Sequence, residues 1–172
     1  MNNPHNPAEE LYRQIIAGAQ RYVYITTPYL IIDDAMKDTL CMAAKGGVDV
    51  RIVTPKMWDH WYVHMVTKSN YEALLAAGVR IYEYTPGFIH AKIILSDDDN
   101  GVISSINLDY RSFFLLFEFG VWICGAPVLA DIKADLLNIF ALSEEKDLVE
   151  WRNRPRYQKF LQHILRIFAP LF

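Results

Sequence analysis

The sequence lacks several features by which common classes of protein are recognised. It has 2 cysteines among 172 residues, Cys41 and Cys124, which is too few for a disulfide framework or a four-cysteine metal site. Both lie among apolar residues, so we expect two reduced thiols in the core. No apolar run approaches the roughly 20 residues of a membrane-spanning helix, and the polar first residues do not resemble a signal peptide. The sequence as given therefore predicts a soluble or peripheral domain.

A strong net charge is also missing. The formal charge is −3, whereas nucleic-acid binders usually carry a strongly basic domain, so we expect no nucleic-acid partner. With 52% hydrophobic and 22% charged residues, the composition is that of a compact globular chain. Its length suffices for one domain with a single core.

Three β-rich segments each end in Thr-Pro, and helical patterns separate them. This alternation predicts βα units and a mixed, largely parallel sheet flanked by helices. In such sheets ligands bind beyond the carboxyl ends of the strands. The segments are 22–26, 48–53 and 79–84.

Capping residues and apolar spacing predict the helices and one further strand. We expect helices at 8–20, begun by Asn6 and Pro7, at 34–45, begun by Asp33 and stopped by Gly46, at 59–77, stopped by Gly78, and at 128–142. Residues 119–124 have the composition of a buried strand. The inner face of the last helix is predicted to comprise Leu129, Ile132, Leu136, Leu137 and Phe140.

The stretch after the third strand is predicted to form a hairpin that carries polar side chains. Residues 88–95 and 102–105 are β-rich, and the residues between them, 97–101, tolerate positive φ. A period of two places His90 and Lys92 on one face of the first strand. Ser105 and Asn107 share parity beyond the turn, so in-register pairing would bring them near His90 and Lys92.

That group of side chains suits a phosphate. Lys92 offers a positive charge, while Ser105 and Asn107 offer neutral donors for phosphoryl oxygens. His90 can act as nucleophile or as acid and base near neutral pH. Glu118 lies among hydrophobic residues, where an unpaired carboxylate would be costly, so we expect it to hold the His90 ring.

Two metal-site interpretations have less support from the sequence than the phosphate site. The acidic run 97–101 could suggest calcium, but the twelfth position of such a loop would be Leu108, which rejects an EF-hand. His60 and His64 have a spacing that can hold zinc, but no nearby Glu or Cys completes a ligand set. We expect no metal and no other cofactor.

The same residues carry a family resemblance. His90-Ala91-Lys92, then Asp97, then Ser104-Ser105-Ile106-Asn107 resembles the H-x-K-x4-D-x6-G-S-x-N signature of the phospholipase D superfamily at every spacing. Segments outside the motif resemble the C-terminal half of bacterial cardiolipin synthases, and this likeness runs through nearly the whole chain. They include Tyr24-Ile25-Thr26-Thr27-Pro28-Tyr29, Asp59-His60, Asn107-Leu108-Asp109-Tyr110-Arg111-Ser112 and Glu150-Trp151-Arg152.

The resemblance implies a phospholipase D-like fold in which two motif copies meet to form one site. One histidine attacks phosphorus and the other protonates the leaving alcohol. Carried over by position, His90 is nucleophile or general acid, and Lys92, Ser105 and Asn107 hold the phosphate. Glu118 orients His90, and Asp97 belongs to the catalytic motif but is placed to buttress the hairpin. His60 is a candidate for the headgroup pocket, with a plain surface position as the alternative.

The implied activity is cardiolipin synthesis, in which one phosphatidylglycerol gives a phosphatidyl-histidine and glycerol, and a hydroxyl of the second attacks that intermediate. Residues 1–150 would form the catalytic half-domain and 151–172 a basic amphipathic helix that meets anionic lipid or packs on its own domain. The partner would be an N-terminal motif-bearing half or a second copy. The parent protein would act at the cytoplasmic side of a bacterial cell membrane.

Two alternatives remain open: a self-dimerising phosphodiesterase or nuclease of the same superfamily, and a non-catalytic half that docks on membranes.

The chain also departs from the family pattern in three places. Ser104 replaces a glycine, Ile106 a small residue and Leu116 an asparagine.

Overall fold

A computed structural model of the chain describes residues 6–155, together with residues 157, 161, 164 and 165. In chain order the elements are α1 (Pro7–Gly18), β1 (Tyr22–Thr26), β2 (Leu30–Ile31), α2 (Asp34–Lys45), β3 (Asp49–Pro55), α3 (Trp61–Ser69), α4 (Tyr71–Ala76), β4 (Arg80–Tyr84), β5 (Lys92–Ser96), β6 (Asn100–Ser104), β7 (Leu108–Asp109), α5 (Tyr110–Phe114), β8 (Gly120–Cys124), α6 (Val128–Ala141), β9 (Ser143–Glu145) and α7 (Leu148–Arg152).

The main sheet has seven strands in the order β8-β6-β5-β1-β3-β4-β9. Strands β1, β3 and β4 run parallel in its core, as the alternation of strands and helices predicts, whereas the remaining pairs are antiparallel. Strands β2 and β7 form a separate short parallel pair. The mixed α/β class is therefore confirmed.

Helices cover both faces of the sheet because its central strands are apolar on both sides. In β1, Val23 and Ile25 join a core shared with α1, α2 and α4, while Tyr22 and Tyr24 join a second core shared with α6. All five residues of β1 are buried. The sheet is thus the middle layer of three.

Local capping signals located two helices accurately. The Asn6 side chain accepts the Glu9 N–H at 3.2 Å at the start of α1, and Asp33 accepts the Met36 N–H at 2.8 Å at the start of α2. After α2, Gly47 has a φ of +95°, a conformation that glycine adopts without steric cost. These caps determine where the helices begin and where α2 ends.

The prediction of a single helix over 59–77 is wrong, because this stretch forms two helices, α3 and α4, that are separated at Asn70. The Asn70 side chain donates to the Leu30 carbonyl at 2.8 Å, and the Leu30 N–H donates to Thr67 Oγ1 at 3.2 Å. These side-chain bonds hold α3 against β2, which no local sequence signal indicates.

The burial predicted for residues 119–124 is also wrong. Strand β8 is the edge of the sheet, and most of its residues, including Trp122 and Cys124, are exposed. Cys41 is half-buried, so the prediction of two core thiols fails as well. Leu137 on α6 is exposed rather than on the inner face.

The antiparallel strand β5 turns the chain back along β1, with Thr26 opposite Ile93. Lys92 therefore lies at the carboxyl ends of the parallel strands, while Asp97 lies at their amino ends, about 16 Å along the strand. β5 begins at Lys92 rather than at residue 88, since β1 ends at Thr26 and leaves the preceding residues without a ladder partner.

Asp97 holds the hairpin turn to the start of β1. Its carboxylate accepts the N–H groups of Gln20, Arg21 and Tyr22 at 2.6, 2.9 and 2.9 Å. Burial opposes ionisation, but these donors lower the pKa of Asp97 overall. Asp97 and Asp98 have φ values of 56° and 63°. These positive values agree with the prediction that residues 97–101 form the turn.

The predicted C-terminal helix over 151–172 falls mostly outside the described residues, and the boundary near residue 150 stays a prediction. Leu165, which is described, packs against a small apolar cluster of Ile31, Val63 and Val66. Within the described part of the chain, no helix combines the length and the apolar character needed to cross a bilayer.

Asp97→Asn should lower the free energy of unfolding by about 2 kcal/mol, because it removes charge-assisted hydrogen bonds while keeping a residue that tolerates positive φ. Chemical denaturation checks this, with Asp99→Asn as the control from the same turn. Since the folded pKa of Asp97 is lowered, its contribution is complete above the unfolded pKa of about 3.9 and fades as pH falls through the folded pKa. An equal loss in both variants would contradict this role.

Candidate active site

His90 and Lys92 stand together at the carboxyl edge of the sheet. Lys92 is 9% exposed, and its Nζ donates to the His90 carbonyl at 2.8 Å. Burial lowers the pKa of Lys92, while the carboxylates of Glu118 and Asp109 act in the opposite direction. The His90 side chain is exposed, and its ring packs on Phe88 with 5.7 Å between centroids. A buried cation thus lies next to an exposed imidazole.

Ser105 and Glu118 lie beside this pair and bond to each other. The Ser105 hydroxyl donates to Glu118 Oε2 and accepts the Phe119 N–H at 2.9 Å. Backbone pairing of β6 with β8 continues one step further, where the Ser105 N–H donates to the Phe119 carbonyl at 2.8 Å. The Ser105 hydrogen is therefore given to a carboxylate, not left free for a phosphoryl oxygen.

The structure does not form the expected pair of Glu118 and His90. Among the described residues no hydrogen bond joins them, because the ladder that brings Glu118 to Ser105 also directs its carboxylate there. Glu118 is half-buried rather than enclosed, since residues 115–117 beside it are exposed. Its electrostatic partner in the site is Lys92.

Asn107 is brought to the site by the short parallel pair of β2 and β7. The neighbouring Asp109 caps α5, where it accepts the Ser112 N–H at 2.7 Å, and the Asn107 side chain also bonds to it. Burial raises the pKa of Asp109, and these donors counteract the increase. Within the described residues Asn107 Oδ1 is buried without a partner, so this amide is left with an unused polar atom.

A pocket of about 320 Å³ opens next to these residues. Its wall includes Tyr29, His60, Tyr62, Asn107, Asp109 and Arg111. His60 is exposed and lies just before α3, and the structure places it on the wall of this pocket.

Asp59 is a site residue that the sequence pattern did not single out. Its carboxylate accepts the Tyr29 hydroxyl and the His60 N–H, the latter at 2.6 Å. Burial opposes ionisation, but the Tyr29, His60 and Asp59 donors lower the pKa of Asp59. It is the carboxylate that acts electrostatically on His90. The sequence signal that could have indicated it is the Asp59-His60 pair of the family resemblance, of which only His60 is a predicted site residue.

The balance of these effects favours neutral His90. Burial and then the Lys92 charge lower the pKa of His90, and Asp59 partly opposes them. A neutral imidazole has the lone pair that a nucleophile needs.

The departures from the family pattern fit their surroundings. Ser104 lies opposite Lys92 in the β5–β6 ladder, and its hydroxyl pairs with the Tyr12 hydroxyl at 2.8 Å and accepts the Ile106 N–H at 3.1 Å. Ile106 is buried in the core, and Leu116 lines the pocket. A Cβ on Gly120, the partner of Ser104 on β8, would lie 3.1 Å from Ser104 Cβ, so glycine there makes room for the serine.

His60 and His64 do not build a metal centre with neighbouring ligands. His60 precedes α3, and burial followed by the Lys68 charge lowers the pKa of His64 to about 4. In the described part of the chain, no group of three or more His, Cys, Asp or Glu side chains could hold an ion.

Comparison with solved structures identifies the fold class. The phospholipase D family member Nuc from Salmonella typhimurium superposes with a TM-score of 0.72 at 18% identity, covering 84% of this chain and 94% of that one. Phosphatidylserine synthase from Haemophilus influenzae gives 0.73 at 16% identity, covering 94% and 42%. The chain therefore has the phospholipase D fold.

Sequence comparison then identifies the family. A family model described as cardiolipin synthase, phospholipase D-like domain, matches residues 12–140. Cardiolipin synthase 2 of Staphylococcus epidermidis is 36% identical over 160 residues, which cover 93% of this chain and 33% of the relative. An uncharacterised Streptococcus mutans protein is 40% identical over 163 residues, covering 95% and 35%. The chain belongs to the cardiolipin synthase, phospholipase D-like domain family, and it spans about a third of the length of these relatives.

Asp59→Asn should lower the pKa of His90 further, because it removes the carboxylate that favours the imidazolium. Lys92→Met should raise it, since it removes a neighbouring positive charge. Titration of the His90 ring resonances by NMR measures both shifts, with Glu118→Gln as the matched control. A larger shift in Glu118→Gln than in Asp59→Asn would show that Glu118 is the partner of His90 after all.

Proposed function

We propose that this chain supplies one half of a phosphatidyltransferase active site that makes cardiolipin and glycerol from two molecules of phosphatidylglycerol. The observation that carries the proposal is an exposed His90 next to the buried Lys92, at the same edge of the sheet as Asn107 and the 320 Å³ pocket, in a member of this family. Relatives that share the family and cover nearly the whole chain are named cardiolipin synthases, which supports the choice of reaction.

In the proposed first step a ring nitrogen of His90 attacks phosphorus, and the bond from phosphorus to the glycerol oxygen breaks. That oxygen takes a proton from a second histidine, so glycerol leaves neutral. A hydroxyl of the second phosphatidylglycerol then attacks phosphorus, returns its proton to the second histidine, and the P–N bond breaks. The roles of the two histidines can equally be exchanged between the halves.

Lys92 would stabilise the charge on the phosphoryl oxygens, since it is already desolvated and needs little reorganisation. Ser105 and Asn107 would join it after the Ser105 hydroxyl leaves Glu118 and the Asn107 amide turns toward the phosphate. Glu118 would then keep Lys92 charged, and Asp59 would face His90. His60 would contact the leaving or accepting headgroup. Asp97 would contribute only by stabilising the fold, because it holds the hairpin turn to the start of β1.

The second histidine would come from an N-terminal motif-bearing half or from another copy of this chain. Exposed apolar side chains along the β8 edge, among them Phe117, Phe119 and Val121, support a covering partner there. The parent protein would work at the cytoplasmic side of a bacterial cell membrane, where its substrate is made.

Self-pairing is the second candidate. It is favoured by the match to Nuc, which covers 94% of that chain and so involves a protein of similar size. A homodimer with two copies of His90 would act as a phosphodiesterase or nuclease.

Phosphatidylglycerol vesicles should give glycerol and cardiolipin only when this chain is mixed with the complementary half. His90→Ala should reduce the rate at least about a thousandfold, because a group that forms or breaks a bond to phosphorus is lost. The control is His64→Gln, which removes a half-buried histidine of α3 that takes no part in the site. Product release is measured by chromatography of lipid and aqueous phases.

Turnover by this chain alone, or on bis-p-nitrophenyl phosphate or DNA instead of lipid, would replace the synthase proposal with the self-paired enzyme. If the chain binds vesicles but turns over none of these substrates, the remaining explanation is a non-catalytic half that docks on membranes.

A further inference from the structure

The loop that connects β3 to α3, together with the first residue of α3, exposes large apolar side chains close to the pocket. Met57, Trp58 and Trp61 are 59%, 60% and 52% exposed. Single exposed apolar residues are common, but three within five positions form a patch, and such patches mark interaction surfaces. Trp61 packs edge-on against Tyr62 of the pocket wall, with 5.9 Å between ring centroids. The patch and the pocket are therefore neighbours.

The loop is held at both ends while its apolar side chains project. Lys56 donates from its N–H to the Tyr84 carbonyl at 3.0 Å and from Nζ to Glu144 at 2.6 Å. Asp59 is bound to the Tyr29 hydroxyl. Within the described ranges, Met57 and Trp58 make no hydrogen bond or ring contact. The apolar side chains of Met57 and Trp58 thus project from a loop whose two ends are held by hydrogen bonds.

The projecting side chains suit a lipid surface. The positive charge of Lys56 is paired with Glu144, and the Asp59 carboxylate, which keeps its negative charge, accepts a hydrogen bond from Tyr29 of the pocket wall. Tryptophan has an apolar body and a polar N–H, which is why it concentrates at the boundary between headgroups and acyl chains. Met57, Trp58 and Trp61 thus offer apolar surface to a bilayer, while Asp59 beside them keeps a negative charge.

A separate apolar surface is available to a protein partner. It lies along β8, where Trp122 is 55% exposed and lines a shallow pocket with Gln20 and Asp97 at the amino ends of the central strands. The loop before α3 lies at the opposite, carboxyl end. The two apolar surfaces therefore lie at different ends of the sheet.

We infer that Met57, Trp58 and Trp61 insert into the interfacial layer of a phospholipid bilayer and hold the mouth of the pocket against it. The choice of lipid rests on the proposed function, because a phosphatidyl substrate reaches the pocket from the bilayer. Insertion of apolar groups also distinguishes this loop from the basic C-terminal segment, whose attraction to anionic lipid would be screened by salt.

Sedimentation with vesicles of phosphatidylglycerol and phosphatidylcholine tests the inference on the chain as it stands. Trp58→Ala with Trp61→Ala should weaken binding at least about tenfold, since two partly buried indoles are lost from the membrane. Trp122→Ala, an equally exposed tryptophan at the far end of the sheet, should change binding less than about twofold. Binding by the unmodified chain should persist at ~0.5 M salt, where electrostatic attraction is largely screened.

Quenching by brominated lipid tests location independently of affinity. Trp58→Phe with Trp61→Phe keeps the apolar surface but should abolish most of the quenching, whereas Trp122→Phe should leave it unchanged. Loss of binding in high salt, equal loss in Trp122→Ala, quenching that depends on Trp122, or no binding by the unmodified chain would each overturn the inference.

These outcomes are distinguishable from failure of the proposed reaction. Vesicle binding through Trp58 and Trp61 without cardiolipin formation supports the docking surface and counts against the synthase. Cardiolipin formation that the double alanine variant retains on vesicles counts against the docking surface alone.

Discussion

The antiparallel pairing of β5 with β1 is the constraint on which the site depends. It reverses the chain so that one strand carries Lys92 to the carboxyl ends of β1, β3 and β4 and Asp97 to their amino ends. The Asp97 carboxylate binds three backbone N–H groups at the far end, which holds the strand in register. A shift of one residue would exchange the two faces of β5 and move Lys92 away from the site.

Register also explains why residues far apart in sequence share one small volume. Loops that leave the parallel strands at this edge deliver Tyr29, Asp59 and His60, and the β2–β7 pair delivers Asn107. Buried Lys92 sits below them and lowers the pKa of His90, after burial itself. The motif's residues are separated along the strand, because Asp97 holds the turn at the amino ends of the parallel strands while His90 and Lys92 lie at the carboxyl ends.

Much of this arrangement could be predicted from sequence because it depends on short-range rules. The caps Asn6 and Asp33 place the starts of two helices, and within β5 the period of two puts Ile94 in one core and Leu95 in the opposite core.

Other features depend on contacts that local patterns do not encode. Asn70 divides a helix because it bonds to Leu30. Strand β8 is apolar in sequence yet exposed, since position at a sheet edge is a property of the whole topology. Glu118 joins Ser105 through the β6–β8 ladder, and Asp59 meets His90 through space. Neither pairing can be read from residue spacing.

Binding of inorganic phosphate, followed residue by residue with NMR, is the most direct test of a phosphate site at the carboxyl edge. We predict saturable shifts in His90, Lys92 and Asn107, with the resonances of the Asp97 turn unchanged. Shifts centred on the Asp97 turn, or none at the carboxyl edge at any phosphate concentration, would contradict the placement of the site.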